Sequence, residues 1–185
     1  LPPLMVGANV FMALPLLLGL RRAWKGRALL GLLLLALWSY LIEGVGVHTG
    51  WPYGQFSYQA GLEPLLFDTV PLALPLFWLP MILSARLLAE GLWQRRSTKS
   101  PTATPPLRFL LPAATLLLVL QDALLDPAAV GLGFWSYEAG GAFYGVPLSN
   151  YLGWCFSGLV AHGLLSWALT PEQLAAALPE GWSLD

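Results

Sequence analysis

A bundle of membrane-spanning α-helices with about five spans is the fold class this sequence predicts, and three observations predict it. Hydrophobic residues make up 57% of the chain and charged residues only 10%, where a soluble domain is about one quarter charged. Apolar stretches long enough to cross roughly 30 Å of hydrocarbon as helices recur at Leu4–Leu20, Ala28–Val47, Leu65–Leu88, Leu107–Leu125 and Leu148–Leu169. The nine basic residues crowd into two of the connections and the helix ends beside them. Residues 1–185 therefore read as a single integral membrane domain, all-α, with no separate soluble module.

Taken in order, the first stretch ends at a basic connection carrying Arg21, Arg22, Lys25 and Arg27. The second basic connection follows the third stretch, where Arg95, Arg96 and Lys99 lie in a Ser/Thr/Pro-rich linker flanked by Arg86 and Arg108. Two spans separate these connections, so they share a side, and the bias of Lys and Arg toward the inside makes that side cytoplasmic. The expectation is an inner-membrane protein with a cytoplasmic C-terminus. Thr170, followed by Pro171 at a first turn, reads as the cap of a short terminal helix.

The net charge of −1 supplies no basic field for a nucleic acid, so the expected partner is the lipid bilayer. The lone Cys155 excludes an internal disulfide and a Cys-rich metal site. His48 and His162 are too few for a His-rich di-iron centre. No metal or cofactor is expected.

The connections on the other side, His48–Pro64 and Pro127–Pro147, have no basic residue and are rich in Gly, Trp and Tyr. Trp51, Tyr53, Phe56, Tyr58, Trp135, Tyr137 and Tyr144 read either as an interfacial aromatic belt or as the walls of a site. The two connections also resemble each other. Phe56-Ser57-Tyr58-Gln59-Ala60-Gly61 matches Trp135-Ser136-Tyr137-Glu138-Ala139-Gly140, and the same offset carries Glu43 onto Asp122. After a gap, Val70-Pro71-Leu72 matches Val146-Pro147-Leu148 and Trp78 matches Trp154. This predicts a parallel internal repeat, helix pair 2–3 duplicated as helix pair 4–5, about an axis along the membrane normal.

Six carboxyls, Glu43, Glu63, Asp68, Asp122, Asp126 and Glu138, lie in the half that lacks Lys and Arg. A charge near hydrocarbon is costly unless it is paired or faces a wet cavity. Glu63 reads as solvated, Asp126 as a helix terminus or a site residue, and Asp68 as a helix cap or an acid. Glu43 and Asp122, inside apolar helices, are the strongest candidates for chemistry. Asp122 and Asp126 are four residues apart and share a helix face, and Asn150, Trp154 and Ser157 form a stripe on the fifth stretch. Three chemistries could use such a set. One is an Asp-rich metal–diphosphate motif at Asp122–Asp126, for which no cation lies on that side. Another is a carboxylate/His metal centre, whose ligand spacing is not diagnostic. The last is protonation of an alkene by a carboxylic acid, with aromatic faces steadying the tertiary cation.

At this point a resemblance to a known family bears on the choice. The run from Glu43-Gly44-Val45-Gly46-Val47-His48 through Trp51-Pro52-Tyr53-Gly54-Gln55-Phe56-Ser57-Tyr58 resembles a signature of the membrane carotenoid-biosynthesis family, which includes CruF-type carotenoid 1,2-hydratases. Asp122, Asp126-Pro127, Trp135, Tyr137-Glu138 and the run Tyr144–Trp154 resemble a second. The resemblance implies a cofactor-independent hydro-lyase adding water across C1=C2 of an acyclic carotenoid end of the lycopene, γ-carotene or bacterioruberin-precursor type. Glu43 or Asp122 would protonate C2, and water held by a neighbouring carboxylate (Asp126 or Asp68), His48 or Asn150 would attack C1. Trp51, Tyr53, Tyr58, Trp135, Tyr137, Tyr144 and Trp154 would line the substrate. A lycopene-type cyclase sharing the protonation step is the alternative enzyme. A non-catalytic carotenoid-binding subunit is the alternative without chemistry. Association with other carotenoid-biosynthesis enzymes, or with a larger membrane assembly, is a further expectation.

Overall fold

Leucine- and alanine-rich runs, uninterrupted by turn-forming residues, fold as helices whose apolar side chains point outward. The computed structural model describes residues 26–59, 62–96 and 105–170, with Leu14, Leu18 and Gln173 besides. Among these, four long helices stand out: α1 (Gly26–Thr49), α2 (Leu74–Arg96), α3 (Leu107–Gly131) and α4 (Leu148–Ala168). The first three are long and apolar enough to cross a membrane. The first expected span lies outside the described residues, except for Leu14 and Leu18, which are helical.

The helices form a closed ring in which α1 packs on α2, α2 on α3, α3 on α4, and α4 back on α1. Apolar side chains fill the interior, Leu35, Ile82 and Leu118 among them, but they also cover the exterior, while several polar groups lie inside. Leu33, Leu37 and Leu41 of α1 are exposed along one stripe and Leu124 of α3 is 78% exposed, whereas Ser39, Glu43, Thr115, Asp122, Asn150, Ser157 and His162 are buried. A lipid exterior explains this arrangement, because leucine gains nothing by leaving hydrocarbon while each polar group must find a partner inside the bundle. Close backbone approach comes from small residues. A Cβ on Gly31 would collide with Ala168 where α1 crosses α4.

Short strands complete the fold. β1 (Phe56–Tyr58) pairs antiparallel with β4 (Trp135–Tyr137), and β2 (Leu65–Leu66) pairs with β3 (Val70–Pro71). The third predicted span, Leu65–Leu88, is therefore corrected: its first residues form the β2–β3 hairpin and the helix starts at Leu74. Pro64 and Pro71 bracket that hairpin, and Phe67 and Asp68 turn it with positive φ (51° and 53°), backbone that cannot continue a helix. The fourth span runs further than predicted, through Pro127 to Gly131, so Asp126 is not a helix terminus. Arg86, grouped by sequence with the second basic connection, lies buried inside α2 and bonds Glu90 at 2.7 Å. The expected short terminal helix lies outside the described residues apart from Gln173, whose N–H donates to Thr170 Oγ1 at 3.3 Å and whose side chain accepts from the Thr170 N–H at 3.0 Å, the bonds of a capping box.

Candidate active site

Polar residues spaced by whole turns bring four helices to one point. Asp122 and Asp126 sit one turn apart on the inner face of α3, Asn150 opens the inner face of α4, Glu43 projects inward from α1, and Trp78 from α2. All five are buried. They line a single cavity of about 330 Å³ together with Tyr53, Phe56, Tyr58, Trp135, Tyr137 and Trp154.

Each carboxyl is held by neutral donors. Glu43 accepts from the Tyr58 hydroxyl on Oε2 at 3.1 Å and from the Trp78 indole N–H on Oε1 at 3.2 Å. Asp126 accepts from the Trp135 indole N–H on Oδ1, and on Oδ2 from the Tyr137 hydroxyl at 3.0 Å and the Asn150 amide at 2.8 Å. That amide nitrogen also donates to Asp122 Oδ2 at 2.9 Å, so Asn150 uses both hydrogens to bridge the two aspartates. Asp122 Oδ1 receives no donor among the described residues. Among the described residues, no Lys or Arg lines the cavity.

The donors come from the paired loops. Alternation along β1 and β4 turns Phe56, Tyr58, Trp135 and Tyr137 inward and leaves Ser57 and Ser136 exposed. Burial above all, and then the nearby carboxylates, hold the phenols of Tyr58 and Tyr137 well above their ordinary range, so both remain O–H donors. Tyr53 is buried beneath the loop, its ring against Phe56 and Trp154. Its hydroxyl is buried on the cavity lining, with Ser157 as its polar neighbour. Trp154 stacks on Trp78 with ring centroids 4.7 Å apart, and Gly153 leaves room for Tyr53, whose ring a Cβ there would strike.

The structure thus gathers Glu43, Asp122, Asp126, Asn150, Tyr53, Tyr58, Trp135, Tyr137 and Trp154 from the sequence candidates and leaves four outside the cavity lining. His48 is exposed, 3.5 Å from Thr69. Asp68 sits exposed in the β2–β3 turn. Trp51 packs its exposed ring on Phe156, and Tyr144 is 76% exposed beside Phe143. Trp51 and Tyr144 suit the interfacial belt instead. Trp78, as a donor to Glu43, was missed; its pairing with Trp154 in the repeat was the available signal. Among the described residues, no group of three His, Cys, Asp or Glu side chains is arranged to hold a metal ion.

Comparison with known proteins follows this geometry. Residues 2–182 match the family model described as "Carotenoid biosynthesis protein". The chain is 48% identical over 150 residues to bisanhydrobacterioruberin hydratase of Haloarcula japonica, an overlap covering 81% of this chain and 48% of that protein. The chain thus spans about half the length of this relative. No solved structure matches.

Proposed function

The chain belongs to the carotenoid-biosynthesis protein family, and from that premise we propose that it is a hydratase acting on an acyclic carotenoid end, at its C1=C2 bond. The observation that carries this reading is the cavity itself: three carboxyls and an amide in an aromatic chamber that has no cation among the described residues, inside a lipid-facing bundle. The similarity to a hydratase supports the same reaction class.

Asp122 is the acid in this reading, because its Oδ1 alone among the six carboxyl oxygens lacks a protein donor and can hold a proton toward the substrate. The proton passes to C2 as the C1=C2 π bond breaks, leaving a tertiary cation at C1. The faces of Trp78, Trp154 and Tyr58 stabilise that cation. A water molecule bonds through oxygen to C1 and gives its surplus proton to a carboxylate of the site, so one water is added and the acid is restored. Asp126, fixed by three donors, and Glu43, fixed by two, supply the negative charge that steadies the cation. The Tyr53 hydroxyl, on the cavity lining, holds the water or the product oxygen. Every group used belongs to the chain.

The decisive experiment is incubation of the purified protein with lycopene-type carotenoids and analysis of product mass. A gain of one water is expected. An isomer of unchanged mass would favour cyclisation, and unaltered substrate that co-purifies would favour a binding subunit.

We propose in addition five spans with both basic connections cytoplasmic in the inner membrane, residues 1–185 as one integral domain, and the parallel duplication of helix pairs. The register of β1 on β4, with Ser57 opposite Ser136 and Phe56 opposite Tyr137, supports the duplication, since repeat-equivalent residues meet around a local two-fold. The proposed partners are the carotenoid, the bilayer and other enzymes of carotenoid synthesis.

A further inference from the structure

The cavity is too small for a whole carotenoid. An apolar cavity of about 150 Å³ takes one benzene ring, and on that scale a volume of about 330 Å³ holds roughly a dozen non-hydrogen atoms, about two isoprene units, against about forty in a full polyene. The remainder must lie elsewhere, and the lining shows where the chamber meets the outside. Leu125 and Ala128 of α3, and Leu132 just past its C-terminal end, line the cavity and are also exposed, Leu125 to 51% and Leu132 to 69%. Across from them, Phe77 and Met81 of α2 line it while half-buried. Immediately below, the Ser84 and Gln121 side chains bond each other at 3.3 and 3.2 Å and join the two helices. Above that tie, the residues named on the seam are apolar, and both helices are of membrane-spanning character.

We propose that the seam between α2 and α3 is a lateral portal, through which an acyclic isoprenoid slides its end from the bilayer into the cavity while the rest of its length stays in lipid. This rests on the hydratase reading above. Selection then falls on the terminal alkene and its first two isoprene units, so chain length beyond them goes unread. Short acyclic isoprenoids of about ten to fifteen carbons bearing the same isopropylidene end become substrates as well, since about a dozen atoms fill the chamber.

The test compares turnover of lycopene with that of a short isoprenoid carrying the same end, using full-length protein in lipid nanodiscs. The wild type is expected to add water to both. Ala128→Trp in α3 and Leu132→Trp just past its end obstruct the seam above the chamber. Each is expected to lower the ratio of long- to short-chain turnover by at least about tenfold, the scale that misplacing a reacting group commands. A ratio unchanged in both variants, or a wild type that hydrates lycopene and never the short compound, overturns the portal. A wild type that hydrates neither overturns the hydratase reading, and the portal with it.

Discussion

Opposite ends of the same helices bury charge in opposite ways. In the half of α2 that leads to the second basic connection, Arg86 donates to Glu90 at 2.7 Å and to Ser166 at 2.6 Å. A cation and an anion, one turn apart, cancel each other there, and the cluster ties α2 to α4. At the other end, three carboxyls share a chamber and, among the described residues, meet no cation, only indole, phenol and amide donors. A paired buried charge holds helices together and has no proton to spare. Carboxyls met only by neutral donors keep their acid–base capacity, at the cost of desolvation that the protein tolerates for function.

The comparison breaks first, and by the largest margin, at Asp122. Asp122→Asn keeps shape and removes acidity, and turnover should fall about a thousandfold, within the span attributed to a positioned general acid, while carotenoid binding followed by absorbance is retained. Wild-type turnover in this variant would move the acid to Glu43 or Asp126. The other end should answer in stability instead. Arg86→Met leaves Glu90 buried without its cation and should cost about 3 kcal/mol of unfolding free energy, most of it recovered in the Arg86→Met/Glu90→Leu double variant; calorimetry in detergent measures both. Hydration per folded molecule should stay at the wild-type level, and a selective loss of turnover would erase the contrast between the ends.

Asn150→Ala removes the amide bridging Asp122 and Asp126, and a loss of about a hundredfold in turnover is expected from one preorganised donor in a dry site. Asn150→Asp should be worse, because it puts a fourth carboxyl into the chamber, where the bridge was. Tyr58→Phe and Tyr137→Phe each delete one hydrogen bond to a carboxylate, worth about tenfold, and single-turnover kinetics would show whether one carboxyl depends on its phenol more than the other. The smallest effect belongs to residues left outside the chamber: His48→Gln and Tyr144→Leu should change turnover by less than about twofold. A larger loss at His48 would mean that the loop it sits on approaches the substrate.

Much of this was legible in the chain. Leucine runs marked α1 and α4 to within two residues, because lipid exposure leaves whole helices apolar. Glu43, Asp122 and Asn150 stood out because a polar group inside such a run has no cheap structural explanation. What escaped was long-range or compact. Leu65–Pro71 is apolar enough to extend a span, and only Pro64 and Pro71 hinted at the hairpin. Phe56-Ser57-Tyr58 and Trp135-Ser136-Tyr137 carry the aromatic–serine alternation of half-buried strands, but nothing local says that strands 77 residues apart will pair. The ion pair escapes a reading that takes Arg86 as a helix-end flank of the basic connection, although Glu90 lies at the helical spacing of four.

That strand pair has a mechanical side. Side chains on a strand change face with every residue, so a slip of β1 along β4 by one position would swing Tyr58 away from Glu43, or Tyr137 and Trp135 away from Asp126. Two loops from distant parts of the chain therefore act as one latch, with a single alignment tuning both ends of the acid array together. A substitution at the exposed Ser57 or Ser136, remote from every reacting atom, could detune the chemistry simply by letting that latch settle one notch over.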